Sequence, residues 1–250
     1  MTLDPLPFVD LPAAGRTFAA TRRVRWGDTD RTGRLRLDAV ARHLQDVAND
    51  DTRDAGLDPA EPWVVRRTAL RVDRAPTTGE LVTATTWSGG HGRRWAERRT
   101  SLVGDGGGRV EAAALWVHID AASGLPARLG DRFHEIYDEA AGGRSVGARL
   151  RLPGPPADAE ARPWPLRRTD LDGLGHVNNA ATWEPVADAL DRLGLRPTYA
   201  ELEYGDAIGP DDEVTLRWHR QDAGERAVLG VWLTVDGQVR ARAHVVATTA

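Results

Sequence analysis

The chain has 250 residues, 41% hydrophobic and 28% charged, with a formal net charge of -4 at pH 7; this is a soluble globular balance that gives no reason to expect nucleic acid as a partner. All 33 basic residues are Arg and Cys is absent, which excludes a Schiff-base lysine, a cysteine nucleophile, disulfides and thiolate metal sites, and no metal or cofactor is expected. No apolar run approaches the ~20 residues a membrane helix needs, and Met1-Thr2-Leu3-Asp4-Pro5 lacks the basic start and apolar core of a signal peptide, so a cytoplasmic protein without a membrane partner is expected.

Residues 22–30 read as a short strand-like mixture before a helix that starts near Leu37, with Asp38 in its first turn. Leu37, Val40, Leu44 and Val47 recur at steps of three and four, one apolar stripe, and the helix stops at Gly56-Leu57-Asp58-Pro59. Strand-like runs follow at 63–74, 80–89, 93–103 and 109–119, broken by the turns Pro76-Thr77-Thr78-Gly79 and Asp105-Gly106-Gly107-Gly108. Residues 140–162, rich in Gly, Pro, Ala and Arg, read as a linker crossing the surface.

The same order then returns. Asn178 or Asn179 can cap a second helix carrying Trp183, Val186, Leu190 and Leu193, ending at Gly194-Leu195-Arg196-Pro197. Strands are expected at 199–207, 213–220, 226–235 and 239–248, with turns at Gly209-Pro210-Asp211-Asp212 and Asp236-Gly237. In the last of these, Val239, Ala241, Ala243 and Val245 alternate with Arg240, Arg242 and His244, as a strand with one buried face does.

Two stretches match without a gap: Val24 to Leu35 on Leu166 to Val177, with Asp28 on Asp170, Asp30 on Asp172 and Gly33 on Gly175, an offset of 170 - 28 = 142. The glycines that end the two helices are only 194 - 56 = 138 apart, so the second helix is expected to be about one turn shorter. Strand, long helix and antiparallel meander, used twice, imply an α+β double hotdog: 1–139 as one hotdog, 140–162 as linker and 163–250 as the other. A sheet with an exposed edge pairs with its copy inside such a chain; the oligomeric state is left open, a homodimer included.

The copies differ where chemistry could sit. His176-Val177-Asn178-Asn179 stands where the first copy has Arg34-Leu35-Arg36-Leu37. The segment 170–179 is expected to end a strand and enter the N-terminus of the second long helix, where free N–H groups and the positive end of the dipole suit a carbonyl that gathers negative charge. Asp172, four residues before His176 across a glycine-flanked turn, could meet a bound water with it, one group as base and the other as orienter.

The run Asp170-Leu171-Asp172 through His176-Val177-Asn178-Asn179 resembles the signature of the acyl-ACP thioesterases, tandem hotdog enzymes that release fatty acids from acyl carrier protein (ACP). The likeness extends to His43-Leu44-Gln45-Asp46-Val47-Ala48, Trp116-Val117-His118-Ile119-Asp120, Ser123-Gly124-Leu125-Pro126 and Leu202-Glu203-Tyr204. It implies hydrolysis of fatty acyl-ACP in fatty acid biosynthesis, with Asp172 and His176 on two catalytic positions and Asn178 beside them. Trp116, Trp183 and Leu174 are the candidate substrate contacts. The chain departs from the plant-type pattern at Leu174, where the family has Asn, and at Ala207 and Ile208, where it has Glu followed by Cys. An acyl-CoA thioesterase and a non-catalytic acyl-binding hotdog are the alternatives. Asp30 also matches the Asp of single-hotdog acyl-CoA thioesterases, without polar partners such as His and Asn around it.

Simpler readings stand beside these. Asp28, Asp170 and Asp172 can serve as turn residues that accept backbone N–H groups, Asn178 and Asn179 as caps, and His176 as a satisfied core histidine. Glu184 reads as an exposed helix residue, the nine Trp as core packing, and Arg93-Arg94 and Arg98-Arg99 as solvated strand edges that could instead meet an acidic carrier.

Overall fold

The computed structural model describes residues 4–58 and 60–249; Met1–Leu3, with the expected character of the chain's start, and Pro59, the expected end of the first helix, lie outside the described residues. The fold is α+β, antiparallel sheet with few helices. No helix among the described residues is long and apolar enough to cross a membrane. The chain divides into two compact units, Leu6–Leu35 with Arg42–Arg149, and Arg36–Ala41 with the chain from Leu150 onward.

The first half contains strand β1 (Thr17–Arg23), helix α1 (Leu37–Asp54), strands β2 (Trp63–Arg74), β3 (Leu81–His91), β4 (Trp95–Gly104) and β5 (Arg109–His118), and helix α2 (Asp131–Ala141). The expected apolar stripe of α1 is buried throughout, Leu37, Val40, Leu44 and Val47 alike. The strands lie in the order β1-β3-β4-β5-β2, all neighbours antiparallel. The expected meander therefore holds for β3, β4 and β5, while β2 pairs with β5, Leu70 opposite Ala112. The chain between β2 and β3 does not close a hairpin because its backbone is taken up elsewhere: Leu35 N–H donates to the Pro76 carbonyl at 2.8 Å, and Arg34 bridges to Thr77.

Buried carboxylates hold this unit together. Glu80 accepts the N–H of Thr77 at 2.7 Å and of Gly108 at 2.7 Å, so one side chain organises both expected turns. Asp51 on α1, 1% exposed, accepts Arg16 Nε at 2.8 Å, Arg98 at 2.6 Å and the Tyr137 hydroxyl at 2.8 Å. It thereby ties α1 to the chain before β1, to β4 and to α2.

Two elements of this half are absent from the sequence reading. β1 begins before the 22–30 segment and shares only Arg22 and Arg23 with it, while residues 26–28 form a short 3-10 helix. α2 ends at Gly142, which adopts φ +58° and donates its N–H to the Asp138 and Glu139 carbonyls. Its signal was present in Phe133, Tyr137 and Ala140, spaced at four and three.

The second half contains β6 (Glu160–Pro163), α3 (Glu184–Arg192), β7 (Leu195–Tyr204), β8 (Val214–Ala223), β9 (Arg226–Val235) and β10 (Gln238–Thr249). Its order, β7-β10-β9-β8-β6, is that of the first half in reverse. α2 runs to Ala141 and β6 begins at Glu160, so the part of the expected linker without helix or strand is 142–159. It is anchored rather than merely surface-crossing: Glu203 on β7, fully buried, accepts the N–H groups of Arg151 at 2.5 Å and Leu152 at 3.1 Å. Neighbouring Glu201 takes the Arg151 guanidinium at 2.5 Å.

The second helix is shorter than the expected single-turn deficit, α3 having 9 residues against 18 in α1. Pro185 sits in its first turn, where a missing N–H costs nothing, but the same missing donor cannot continue a helix from Ala181. Residues 181–183 form a 3-10 turn instead. Neither Asn178 nor Asn179 caps α3; its N-cap is Trp183, without a side-chain cap bond. His244 also departs from the expected alternation of β10, being buried like Ala243 and Val245 on either side of it.

Two outcomes are expected. Asp51→Ala leaves Arg98, half-buried beside Tyr137, without its buried counter-charge and should cost about 3 kcal/mol in denaturant unfolding, whereas Tyr137→Phe should cost about 1 kcal/mol. Burial pushes the His43 and His244 imidazoles below the ordinary histidine range, and His43 Nδ1 and His244 Nε2 have no partner among the described residues. Below about pH 6.5 the unfolded chain binds protons that the folded one does not, so stability is lost as pH falls from there through the depressed folded values. Unfolding curves between pH 7 and 5 should flatten in the His43→Gln, His244→Gln double variant.

Candidate active site

The two matched segments fold into the same turn, bond for bond. In each, an Asp side chain accepts the N–H three residues earlier: Asp28 from Arg25 at 3.2 Å, Asp170 from Arg167 at 2.9 Å. This closes a short 3-10 helix, Trp26–Asp28 or Arg168–Asp170. A β-bridge follows, Thr29 to Leu35 in one copy and Leu171 to Val177 in the other. Within it Asp30 N–H donates to the Arg34 carbonyl at 2.7 Å and Asp172 N–H to that of His176 at 2.9 Å. The N–H groups of Gly33 and Gly175 donate back to the Asp30 and Asp172 carbonyls at 2.9 and 3.0 Å. Both glycines adopt left-handed backbone, φ +81° and +78°, where a side chain would be strained.

Both turns are also closed by the Asp side chain itself. Asp30 Oδ1 accepts the N–H of Thr32 at 2.8 Å and Asp172 Oδ1 that of Leu174 at 2.9 Å, the Asx turn for which Asp is suited. There the equivalence ends. Asp30 also accepts the Thr32 hydroxyl at 2.7 Å, the Arg34 N–H at 3.0 Å and Arg34 Nε at 3.4 Å. Burial alone would raise the Asp30 carboxyl, but the Arg34 and Thr32 hydrogen bonds and the Arg34 charge outweigh it and hold it below the usual carboxylate range.

The Asp172 carboxylate accepts the Leu174 N–H and, among the described residues, no other hydrogen bond. The His176 side chain is exposed and makes no hydrogen bond to a described residue. The second copy thus presents an uncommitted carboxylate oxygen and an uncommitted imidazole on one five-residue turn, Asp172 to His176.

Asn178 holds the exit of this turn. Its N–H donates to the Asp170 carbonyl at 2.8 Å, its Oδ1 accepts the Ala180 N–H at 2.8 Å, and its carbonyl accepts the Thr182 N–H at 3.1 Å. Because α3 begins only at Glu184, the segment 170–179 does not enter a helix N-terminus, and the expected dipole is displaced by a turn and a 3-10 helix. The N–H groups of Gly173, His176 and Asn179 have no acceptor among the described residues, so donors come from the turn.

The candidate substrate contacts fall in different surroundings. Trp183 is 0% exposed and donates its indole N–H to the Tyr204 hydroxyl at 2.9 Å, while Leu174 stands 82% exposed at the tip of the turn. Trp116 lies half-buried on β5, opposite Val65 and Ala96. Glu184 pairs with Arg167, which also meets Asp170 at 2.7 Å, whereas its counterpart Arg42 pairs with Asp28 at 3.2 Å. The charge at this matched place is reversed between the copies. Arg98, half-buried, pairs with Asp51, and Arg99, buried, pairs with Glu97, so neither is a solvated edge.

The chain after β7 is wired to the turn: the Ile208 carbonyl accepts the Val177 N–H at 2.9 Å. Ile208 is buried and Ala207 exposed. The sequence reading passed over Asp206 in this same loop, an exposed carboxylate paired with Arg240 at 3.1 Å. Its signal was its place directly before Ala207, where the family pattern has Glu one residue on. In the first unit a charged cleft of about 430 Å³ lies against the other copy of the turn, lined by Arg22, Arg25, Asp28, Arg42, His43 and Asp46.

The model for the acyl-ACP thioesterase N-terminal domain matches residues 15–137 and that for the C-terminal domain 155–246. An uncharacterized Mycobacterium tuberculosis protein is 32% identical over 241 residues, 95% of each chain. The chloroplastic palmitoyl-acyl carrier protein thioesterase of Gossypium hirsutum is 26% identical over 206 residues, 72% of this chain and 48% of that one. Among solved structures, the 12:0-ACP thioesterase of Umbellularia californica aligns with a TM-score of 0.79 at 20% identity, covering 94% of each chain. An acyl-ACP thioesterase of Bacteroides thetaiotaomicron aligns with a TM-score of 0.74 at 19% identity, covering 92% of this chain and 97% of that one. With both domain models matched in order along most of its length, the chain belongs to the acyl-ACP thioesterase family.

Proposed function

We propose that the chain hydrolyses fatty acyl-ACP, releasing the free fatty acid and the carrier's thiol, on a double hotdog scaffold whose second copy carries the chemistry. The scaffold reading is supported by the shared strand order and by a helix between the first and second strand of each half. One observation carries the placement of the site. Of two otherwise identical turns, the first spends its Asp30 carboxylate on Thr32 and Arg34, and the second leaves Asp172 and His176 available.

In this reading a water between Asp172 and His176 attacks the thioester carbonyl. One of the two groups takes its proton and returns it to the departing thiolate, while the other orients it. The oxyanion is held by N–H groups of the turn, for which Gly173, His176 and Asn179 are available. Asn178 fixes the exit of the turn, and Leu174 at its tip is the candidate contact that a substrate reaches without rearrangement. The fully buried Trp183 acts through Tyr204, whose hydroxyl donates to the Asn179 carbonyl at 3.3 Å. A second reading, an acyl-binding protein without turnover, is favoured by Ile208, whose apolar side chain stands in the loop bonded to the turn.

Asn in place of Asp keeps a carbonyl oxygen for the Leu174 N–H but removes the charge, so Asp172→Asn separates a turn role from a chemical one. With acyl-ACP and acyl-CoA of several chain lengths, thiol release is expected to fall about 10²–10⁴-fold in Asp172→Asn and in His176→Ala, with thermal midpoints near that of the wild type. Asp30→Asn should keep the rate and lower the midpoint. Full activity in Asp172→Asn would reduce that carboxylate to a turn acceptor, and a wild type that binds acyl chains but frees no thiol would establish the second reading.

A further inference from the structure

Away from the turns, His91 at the end of β3 and His134 and Asp138 on α2 bring three metal-ligating atoms together in the first unit. His91 Nε2 lies 2.9 Å and His134 Nδ1 3.1 Å from the same oxygen, Asp138 Oδ1, and the donor atoms of the group all lie within 4.8 Å of one another. We propose that His91, His134 and Asp138 form a binding site for a divalent transition ion of the zinc class, completed by solvent, that clamps α2 to the end of β3.

The two spacings to Asp138 Oδ1, from His91 Nε2 and from His134 Nδ1, are those of neighbouring ligands on one ion. With bonds of about 2.0–2.2 Å, two donors at right angles to tetrahedral angles on zinc lie about 2.9–3.5 Å apart. His134 and Asp138 are four residues apart on one helix and so share a face. The orientation of His91 is supported from outside: its Nδ1 lies 3.3 Å from the Gly92 carbonyl. In the tautomer that donates Nδ1–H to that carbonyl, Nε2 turns a lone pair toward the Asp138 oxygen. Two acceptors then face each other at 2.9 Å, an arrangement that a cation between them relieves, and a carbonyl bonded to the outer nitrogen is the usual support of a metal-bound imidazole. Phe133 packs edge-on against both rings, 6.0 Å from His91 and 5.8 Å from His134, giving the site one apolar wall. Two nitrogens and one carboxylate suit Zn²⁺, Co²⁺ or Ni²⁺ and not Mg²⁺ or Ca²⁺.

The alternative is a metal-free cluster in which both imidazoles donate protons to Asp138. The full chain, stripped with EDTA, is titrated with Zn²⁺ by calorimetry and with Co²⁺ by visible absorption. One ion per chain and a Zn²⁺-induced rise in thermal midpoint are expected for the wild type, with no response to Mg²⁺. His134→Ala and the near-isosteric Asp138→Asn should lose the ion and the rise, while keeping the metal-free midpoint. His118→Ala serves as control, since His118 Nε2 also meets a carboxylate, Glu61 at 2.8 Å, without belonging to the group; it should keep both. No saturable binding in the wild type, or binding equal in His134→Ala, overturns the site. A Co²⁺ spectrum unchanged by Asp138→Asn removes the carboxylate from it.

Discussion

Everything at the candidate site depends on one hydrogen bond, from the N–H of Leu174 to the carboxylate of Asp172. An ionised acceptor for a backbone donor is worth about 1.5–3 kcal/mol. That is enough to fix a short exposed loop that buries almost nothing. Its closure turns the chain back so that Gly175 takes left-handed backbone, His176 pairs its carbonyl with the Asp172 N–H, and Val177 reaches Ile208. The side chains offered for chemistry therefore stand on backbone held at four points. A carboxylate that positions the loop is, in the second copy, only half used.

The first copy shows the other outcome of the same turn. Arg34 and Thr32 turn Asp30 into a structural anchor, its Oδ1 taking three hydrogen bonds and its Oδ2 the Arg34 guanidinium, and the cleft at neighbouring Asp28 is lined mainly by charged side chains. Polar cement of this kind recurs through the molecule: Asp51 with Arg16 and Arg98, Glu97 with Arg99, and Glu201 with Arg151. In a chain without Lys, the guanidinium fork can take carboxylates at buried sites by several parallel N–H bonds, which an ammonium cannot do. The Asp172 carboxylate has no such arginine partner among the described residues.

Periodicity made the strands legible. The runs 63–74 and 226–235 coincide with β2 and β9, and the stripe of α1 is buried as its spacing implies. β1 was missed because its burial alternates only weakly and its last three residues are exposed, leaving little period-two signal in Thr17–Arg23. α2 was passed over within a region that reads as Gly- and Pro-rich on both sides. The pairing of β2 with β5 could not be read locally, since it is decided by backbone bonds between Leu35 and Pro76, 41 residues apart (76 - 35). At the site, the gap-free repeat placed Asp172 and His176 on one turn, but the start of α3 was set by a proline seven residues past Asn178 (185 - 178), not by the asparagines.

The departures at Ala207 and Ile208 acquire a definite physical meaning from the same backbone. Ile208 meets the turn through its carbonyl, a group that every residue possesses, so a Cys to Ile difference there leaves the hydrogen bond to Val177 in place. Loss of the family's polar side chains at these positions thus removes chemistry without dismantling the scaffold that presents Asp172 and His176. In the proposed function, catalysis draws on those two groups and on the N–H donors of the turn, with Asp206 a further carboxylate in the adjoining loop. Of these, Asp206 is paired with Arg240 at 3.1 Å. Proton transfer is assigned, in the proposed function, to Asp172 and His176.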